Sequence, residues 1–187
     1  MIDWHFIGEL EGQSVLTGYV PDPETSASGV TIATGVDLGQ LTPAELRNMA
    51  LPLSLSTRLL PYVGVRGEAA VAMLDTAPLV ISQAESDLLD EADRAPLLDA
   101  LERYWRWAAD TEFTSLPDCC QTVIASVAFQ YGPNLRRRCP RFWHDVTTLD
   151  WPATIAELDN FGDDYPTRRR RESEYLAQHL ALVASVS

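Results

Sequence analysis

The sequence predicts an α+β fold, mostly helical, with a small β-hairpin lobe near the N-terminus and a larger helical body. Two short runs of β-formers, Val15 to Val20 and Val30 to Ile32, flank the turn-rich stretch 21–29. Two capping boxes, Thr42-Pro43-Ala44-Glu45 and Ser82-Gln83-Ala84-Glu85, announce helices beyond it. Past the second box, apolar residues recur mainly at helical spacing. The 187 residues suit one domain. Its β-lobe is expected at about 13–40, and its helical lobe at about 41–187 together with the first helix.

Taken in order, Ile2, Phe6 and Leu10 make one helical face, and Gly12 supplies a C-cap, so Glu11 falls in the last turn. The carbonyl end of a helix disfavours a carboxylate, which there tends to hold its proton. The two β-runs follow; so small a sheet is marginal alone and needs a helical body to lean on. Thr42 opens a helix with Pro43 at its first position. A short interrupted helix is expected between Leu51 and Pro61, and another from Gly64 to Leu74. Ser82 opens a long helix toward Ala109, which Pro96 is expected to break or kink. Pro117 begins a core helix with one apolar stripe (Cys120, Val123, Ile124, Val127, Ala128, Tyr131), and Gly132 stops it. Leu135 to Thr148 and Trp151 to Phe161 read as two shorter helices. Thr167 is read as the cap of a last helix to about Ala184, with Tyr175, Leu176, Leu180 and Val183 inward.

Net charge is −13, and all 14 basic residues are arginines. Such a chain is repelled by polyphosphates and anionic lipids, which argues against nucleic acid and membranes as partners. No apolar run reaches the roughly 20 residues of a membrane-spanning helix, and the start, Met1 to Phe6, lacks the basic and apolar regions of a secretory signal. Synthesis in the cytoplasm is the expectation. Cys119, Cys120 and Cys139 read as buried free thiols. The three histidines stand far apart and no metal-ligand spacing occurs, so neither metal nor cofactor is expected. The arginine clusters, Arg136 to Arg138 with Arg141 and Arg168 to Arg171, read as solvated helix faces, or alternatively as contacts for carboxylates on the peptides of a bound ligand.

Glu11, Thr31 and Asp37 are the residues of chemical interest. Hydrolysis of a glycosidic bond uses one acid to protonate the leaving oxygen and a second carboxylate on the other side, with a water between them in inverting enzymes. A hydroxyl such as that of Thr31 can help hold this water. Each residue also has a plain reading: Glu11 as a solvated helix-end acid, Thr31 as a strand-former, Asp37 as a turn or cap residue. Glu9 competes with Glu11, but two positions apart on a helix they point to different sides. Asp22 and Glu24 are alternative bases whose Pro-rich setting suits turn chemistry better.

Four strings in order carry a resemblance: Leu10-Glu11-Gly12, Gly18-Tyr19-Val20-Pro21, Ser28-Gly29-Val30-Thr31-Ile32 and Gly35-Val36-Asp37-Leu38-Gly39-Gln40. Together they resemble the lysozyme-like catalytic domain of pesticin and related peptidoglycan-cutting toxins, and through them phage-type lysozymes. The string Ser126 to Gly132 is similar to the core-helix end that lines the phage lysozyme cleft. The resemblance implies a lysozyme-like fold and a muramidase cleaving the β-1,4 bond between N-acetylmuramic acid and N-acetylglucosamine, with inversion. It implies Glu11 as acid, Asp37 as the residue that activates or orients water, and Thr31 as its helper, with Gln130 and Tyr19 contacting substrate. Two positions depart from the family pattern: Ala33 replaces a frequent glycine and Val36 a frequent aromatic. Ala33 would restrict the backbone if the position needs positive φ.

The family relation further implies an antibacterial toxin, delivered as a bacteriocin, as a type VI secretion effector or through a phage holin. It would act in the periplasm of a target cell, with peptidoglycan strands as substrate and a periplasmic immunity protein as partner. The alternative function is a non-catalytic peptidoglycan-binding module on a lysozyme scaffold.

Overall fold

The computed structural model describes residues 1–12, 14–21, 23 and 27–186, with side chains to residue 183. The order of elements is α1 (Trp4–Glu11), β1 (Val15–Tyr19), β2 (Thr31–Ala33), β3 (Val36–Asp37), α2 (Pro43–Asn48), α3 (Leu53–Leu59) and α4 (Gly67–Thr76). There follow α5 (Gln83–Arg106), α6 (Asp118–Tyr131), α7 (Leu135–Arg138), α8 (Pro140–Thr147), α9 (Trp151–Asp159) and α10 (Pro166–Val186). The chain divides into two compact units, one of residues 11–95 and one of residues 1–10 with 96–187.

The first unit holds the sheet. Its strands are antiparallel in the order β1-β2-β3, and β1 pairs with β2 through an irregularity between Val15↔Ala33 and Tyr19↔Thr31. The second pairing aligns Thr31 with Asp37 and Ile32 with Val36. The far side of β1 is closed by the segment around Leu79: the Gly18 amide donates to the Leu79 carbonyl at 2.8 Å, and the Ile81 amide to Leu16 at 2.9 Å. No long bare edge is left there to recruit another strand. Val30, Ile32, Val36 and Leu38 join Leu46, Leu55, Leu59, Leu79, Ile81 and Leu89 in one core, so helices α2–α4 supply the cover that this small sheet requires. The capping box at Thr42 forms as expected, with Glu45 and Thr42 bonded reciprocally. The one at Ser82 forms too.

In the second unit Leu101, Trp105, Phe142, Leu158 and Leu176 gather around α6. All ten residues from Cys119 to Ala128 are buried. The single apolar stripe expected on α6 is thus replaced by burial all round, and Gln121, Thr122 and Ser126 are accommodated by hydrogen bonds. The three thiols are free and buried.

Several boundaries differ from expectation. α5 runs unbroken through Pro96. The segment expected as one helix from Leu135 is two, because Pro140 opens α8 and the preceding Cys139 leaves helical geometry (φ −135°, ψ 65°). α10 starts at Pro166, which places Thr167 inside the helix, not at its cap. Val183 is exposed where an inward position was expected.

The cluster Arg168 to Arg171 is not a solvated face. Arg169 is 1% exposed. Its guanidinium meets Asp163 at 2.9 Å, Glu172 and Gln130, and it lies 4.7 Å from the Phe161 ring centre. Arg168 pairs with Glu172 at 3.2 Å and donates to the Ser126 carbonyl at 3.1 Å. Arginine tolerates burial when its planar fork is fully bonded and stacked, and that is the case for Arg169.

Candidate functional site

α1 ends at Glu11 because Gly12 takes φ +114°, a conformation that L-residues avoid. Glu11 is exposed there, and it belongs to the same compact unit as the sheet. Its competitor Glu9 falls in the other unit, where it accepts from Arg171 at 2.6 Å and stands 3.6 Å from His5. Asp22 and Glu24 lie outside the described residues.

Tyr19, Thr31 and Asp37 form one row across the sheet, since Thr31 pairs with Tyr19 on β1 and with Asp37 on β3. Residues directly opposite on neighbouring strands share a face, so the three side chains project to the same side. Tyr19 is exposed, Asp37 half-buried, and Thr31 only 5% exposed. The Thr31 hydroxyl lies 3.4 Å from the Gly29 carbonyl, a long contact that leaves its lone pairs available.

The Asp37 carboxylate is held firmly on one side. Oδ1 accepts the backbone amides of Gly29 and Gly39, each at 2.9 Å, while among the described residues Oδ2 receives Gln40 Nε2 alone, at 3.4 Å. Asp37 is thus the cap of the turn Leu38–Gln40, and this fixes the direction of its second oxygen. Gln40 is itself tied to the Ala27 carbonyl at 3.1 Å.

The two glycines of this motif are steric necessities. A Cβ on Gly29 would sit 2.4 Å from the Gly39 Cα and 2.4 Å from the Val65 carbonyl oxygen. The backbones of 29 and 39 touch, and their amides can converge on one carboxylate oxygen only because neither has a side chain. Arg66 completes the knot, donating from Nε to the Gly39 carbonyl at 2.7 Å. Ala33, where the resembled family often has glycine, takes φ +56°.

One supporting residue escaped the sequence reading. Asp90 on α5, 6% exposed, accepts the Thr34 amide at 3.0 Å and the Thr34 hydroxyl at 2.7 Å, pinning the turn between β2 and β3. Arg94 stands 3.7 Å from it, one helical turn on. Thr34 and Asp90 stand 56 positions apart in the chain, so no local pattern announces the pair.

Gln130 sits in the second unit, half-buried, with its amide oxygen on the Arg169 guanidinium. Among the described residues no group of three His, Cys, Asp or Glu side chains is placed to hold a metal. No helix of the described residues is long and apolar enough to cross a membrane.

A small antiparallel sheet with a carboxylate fixed on its last strand, an acid at the end of the preceding helix and a helical remainder define a lysozyme-like α+β protein. The family model described as pesticin, bacterial toxin homologue of phage lysozyme, C-terminal part, matches residues 1–152, and the chain belongs to that family. The match takes in all of Glu11 to Gln40 and ends inside α9. No curated protein matches the chain significantly.

Proposed function

We propose that this chain is a muramidase-type peptidoglycan hydrolase that cleaves the β-1,4 bond from N-acetylmuramic acid to N-acetylglucosamine with inversion. The observation that carries the reading is the fixed Asp37 carboxylate beside Thr31, within a block that the toxin family's model covers. Glu11 protonates the glycosidic oxygen as the C–O bond breaks. A water held by the Thr31 hydroxyl and Asp37 Oδ2 attacks the anomeric carbon from the opposite face, and Asp37 takes its proton. In inverting enzymes the two carboxyl groups stand about 6.5–9.5 Å apart, which leaves room for that water. The two amides on Oδ1 fix the orientation of the Asp37 carboxylate and turn the other oxygen toward the water, so little reorganisation is needed at the moment of attack. Tyr19 offers its ring to a sugar from the same row, and Gln130 is a further substrate contact in this reading. The protein acts on glycan strands in the periplasm of a target cell after delivery, and a periplasmic immunity protein protects the producer.

The test is release of reducing ends from purified peptidoglycan. General acid catalysis contributes about 10²–10⁴-fold, so Glu11→Gln is expected to lose at least about 100-fold in turnover. Asp37→Asn is expected to do the same and Thr31→Ala to lose somewhat less, all three keeping their fold. Wild-type turnover by Glu11→Gln overturns the mechanism. Binding of peptidoglycan without release of reducing ends by the unaltered chain supports the binding-module reading instead. Anhydro ends among the products would overturn hydrolysis by water.

A further inference from the structure

The second compact unit carries a surface that the catalytic reading does not use. α5 ends at Arg106, and Trp107 follows it 90% exposed, with Tyr104 40% exposed one turn back. These rings border a concavity of about 610 Å³ whose other wall is Pro133, Asn134 and Arg136, and Arg103 closes it. That wall is built by the stop of α6: Gly132 takes φ +81°, and Asn134 caps α7 by accepting the Arg137 amide. Short α7 then presents Arg136, Arg137 and Arg138, all exposed. A second concavity shares Arg136 and adds His144 and Pro140.

The charge pattern of this surface opposes that of the chain. Net charge is −13, with 27 acids against 14 arginines. Yet the described lining of both concavities contains two arginines and a histidine and no carboxylate. Arg58, Arg141, Arg168, Arg169 and Arg171 are engaged in ion pairs. Arg103 and Arg136 are not among the paired arginines of the described residues. A bare tryptophan beside unpaired guanidinium groups is costly to expose and is suited to a ligand with an apolar face and appended carboxylates.

We propose that Trp107, Tyr104, Arg103 and Arg136 form an accessory wall-binding surface, which takes a sugar ring of a glycan strand on the indole and a stem-peptide carboxylate on the arginines. The proposal rests on the peptidoglycan reading given above for substrate class but uses none of its catalytic residues. The axial C–H face of a pyranose is flat and apolar and packs on an indole ring, which brings a large contact area at little conformational cost. Guanidinium groups take carboxylates bidentately, and this fixes the strand's register. A protein of net −13 is repelled by an anionic wall at long range. A local cationic face reverses that repulsion where contact is made.

The test uses the full chain carrying Glu11→Gln, so that binding is read without digestion, and co-sedimentation with purified sacculi bearing intact stem peptides. Trp107→Ala, and Arg103→Gln with Arg136→Gln, are each expected to weaken co-sedimentation at least about tenfold, the loss typical of a dominant contact residue. Trp107→Phe is expected to recover most of it. Sacculi stripped of stem peptides should lose the arginine-dependent part and keep the Trp107-dependent part. In the otherwise unaltered chain, the same substitutions should leave turnover on short soluble glycan oligomers unchanged and lower it on intact sacculi. Co-sedimentation equal to the parent's in both variants overturns the surface, as does concentration-dependent self-association lost with Trp107→Ala, which would assign the face to a second copy. If the unaltered chain releases no reducing ends yet binds sacculi through Trp107, the surface stands and the hydrolase reading falls.

Discussion

Ala50 and Ala33 share a left-handed backbone, with φ of +51° and +56°, but not their surroundings. Ala50 is exposed just past the end of α2, the place where helices commonly use glycine. For an L-residue this conformation costs about 1–2 kcal/mol. Glycine avoids that cost and gives back part of it through the greater freedom of its unfolded chain. Ala50→Gly is therefore expected to stabilise by roughly 0.5–1 kcal/mol, read as a higher urea midpoint at unchanged slope. Ala33 is 1% exposed in the sheet core, so its methyl brings about 0.8 kcal/mol that glycine would forfeit. Ala33→Gly is expected to fall within about 0.5 kcal/mol of zero. A gain at Ala33 as large as that at Ala50 would show that the methyl is poorly packed. Alanine at 33 restricts the backbone where the position needs positive φ, and the position does need it. The role of Asp37 was harder to read: its cap and its candidate chemistry are one arrangement, because the amides that hold Oδ1 and make it a cap also aim its second oxygen.

The start of α5 shows how a cap couples to pH. Glu85 closes the box with Ser82, whose amide donates to Oε2 at 2.9 Å, while its other oxygen meets Arg58. The Arg58 hydrogen bond first, and the Ser82 amide second, lower the Glu85 carboxyl to about 2 from 4.5. A carboxyl depressed on folding adds stability that is full above the unfolded value and is lost as pH falls from about 4.5 toward about 2. Glu85→Gln is therefore expected to be less stable than the parent at neutral pH, and the gap should shrink as pH falls through that window, measured by urea midpoints. A gap that stays constant down to about pH 2 would mean that packing, not charge, is responsible. The pair is partly exposed, so salt should shrink the gap as well. Elements with such local chemistry were readable in advance: both capping boxes, the interrupted helix near Leu51 and the stop at Gly132. Elements set by distant partners were not. β3 has two residues, too few for an alternating pattern to register. α6 is buried on every side, and its polar residues hid that by mimicking a solvated flank. Arg169 looks in sequence like its exposed neighbour Arg170, and it is partners in the fold, among them Asp163, Glu172, Gln130 and the Phe161 ring, that separate the two.

For the whole molecule, an α+β chain with its sheet near the N-terminus was legible because turn residues and capping boxes are local signals. The reach of the sheet-bearing unit to Ala95 was not, because it depends on where long-range packing thins. That division falls at Pro96, inside α5, at the residue where the sequence argued for a break. The helix continues because proline removes one amide and crowds the preceding turn, which packing of Leu89 in one unit and Leu101 in the other can override. The cost remains in the folded state. A proline inside a helix is about 3 kcal/mol worse than alanine, and Pro96 is exposed, so alanine there meets no steric obstacle. Proline also restricts the unfolded chain, and that returns up to about 1 kcal/mol. Pro96→Ala is expected to stabilise by about 1–2 kcal/mol, equivalent to a rise of a few degrees in Tm for a chain of this size. The new amide at 96 can donate to the carbonyl of Ala92, so hydrogen exchange at that amide should be protected. A loss of stability would mean that α5 requires a bend at Pro96 which a regular helix cannot supply.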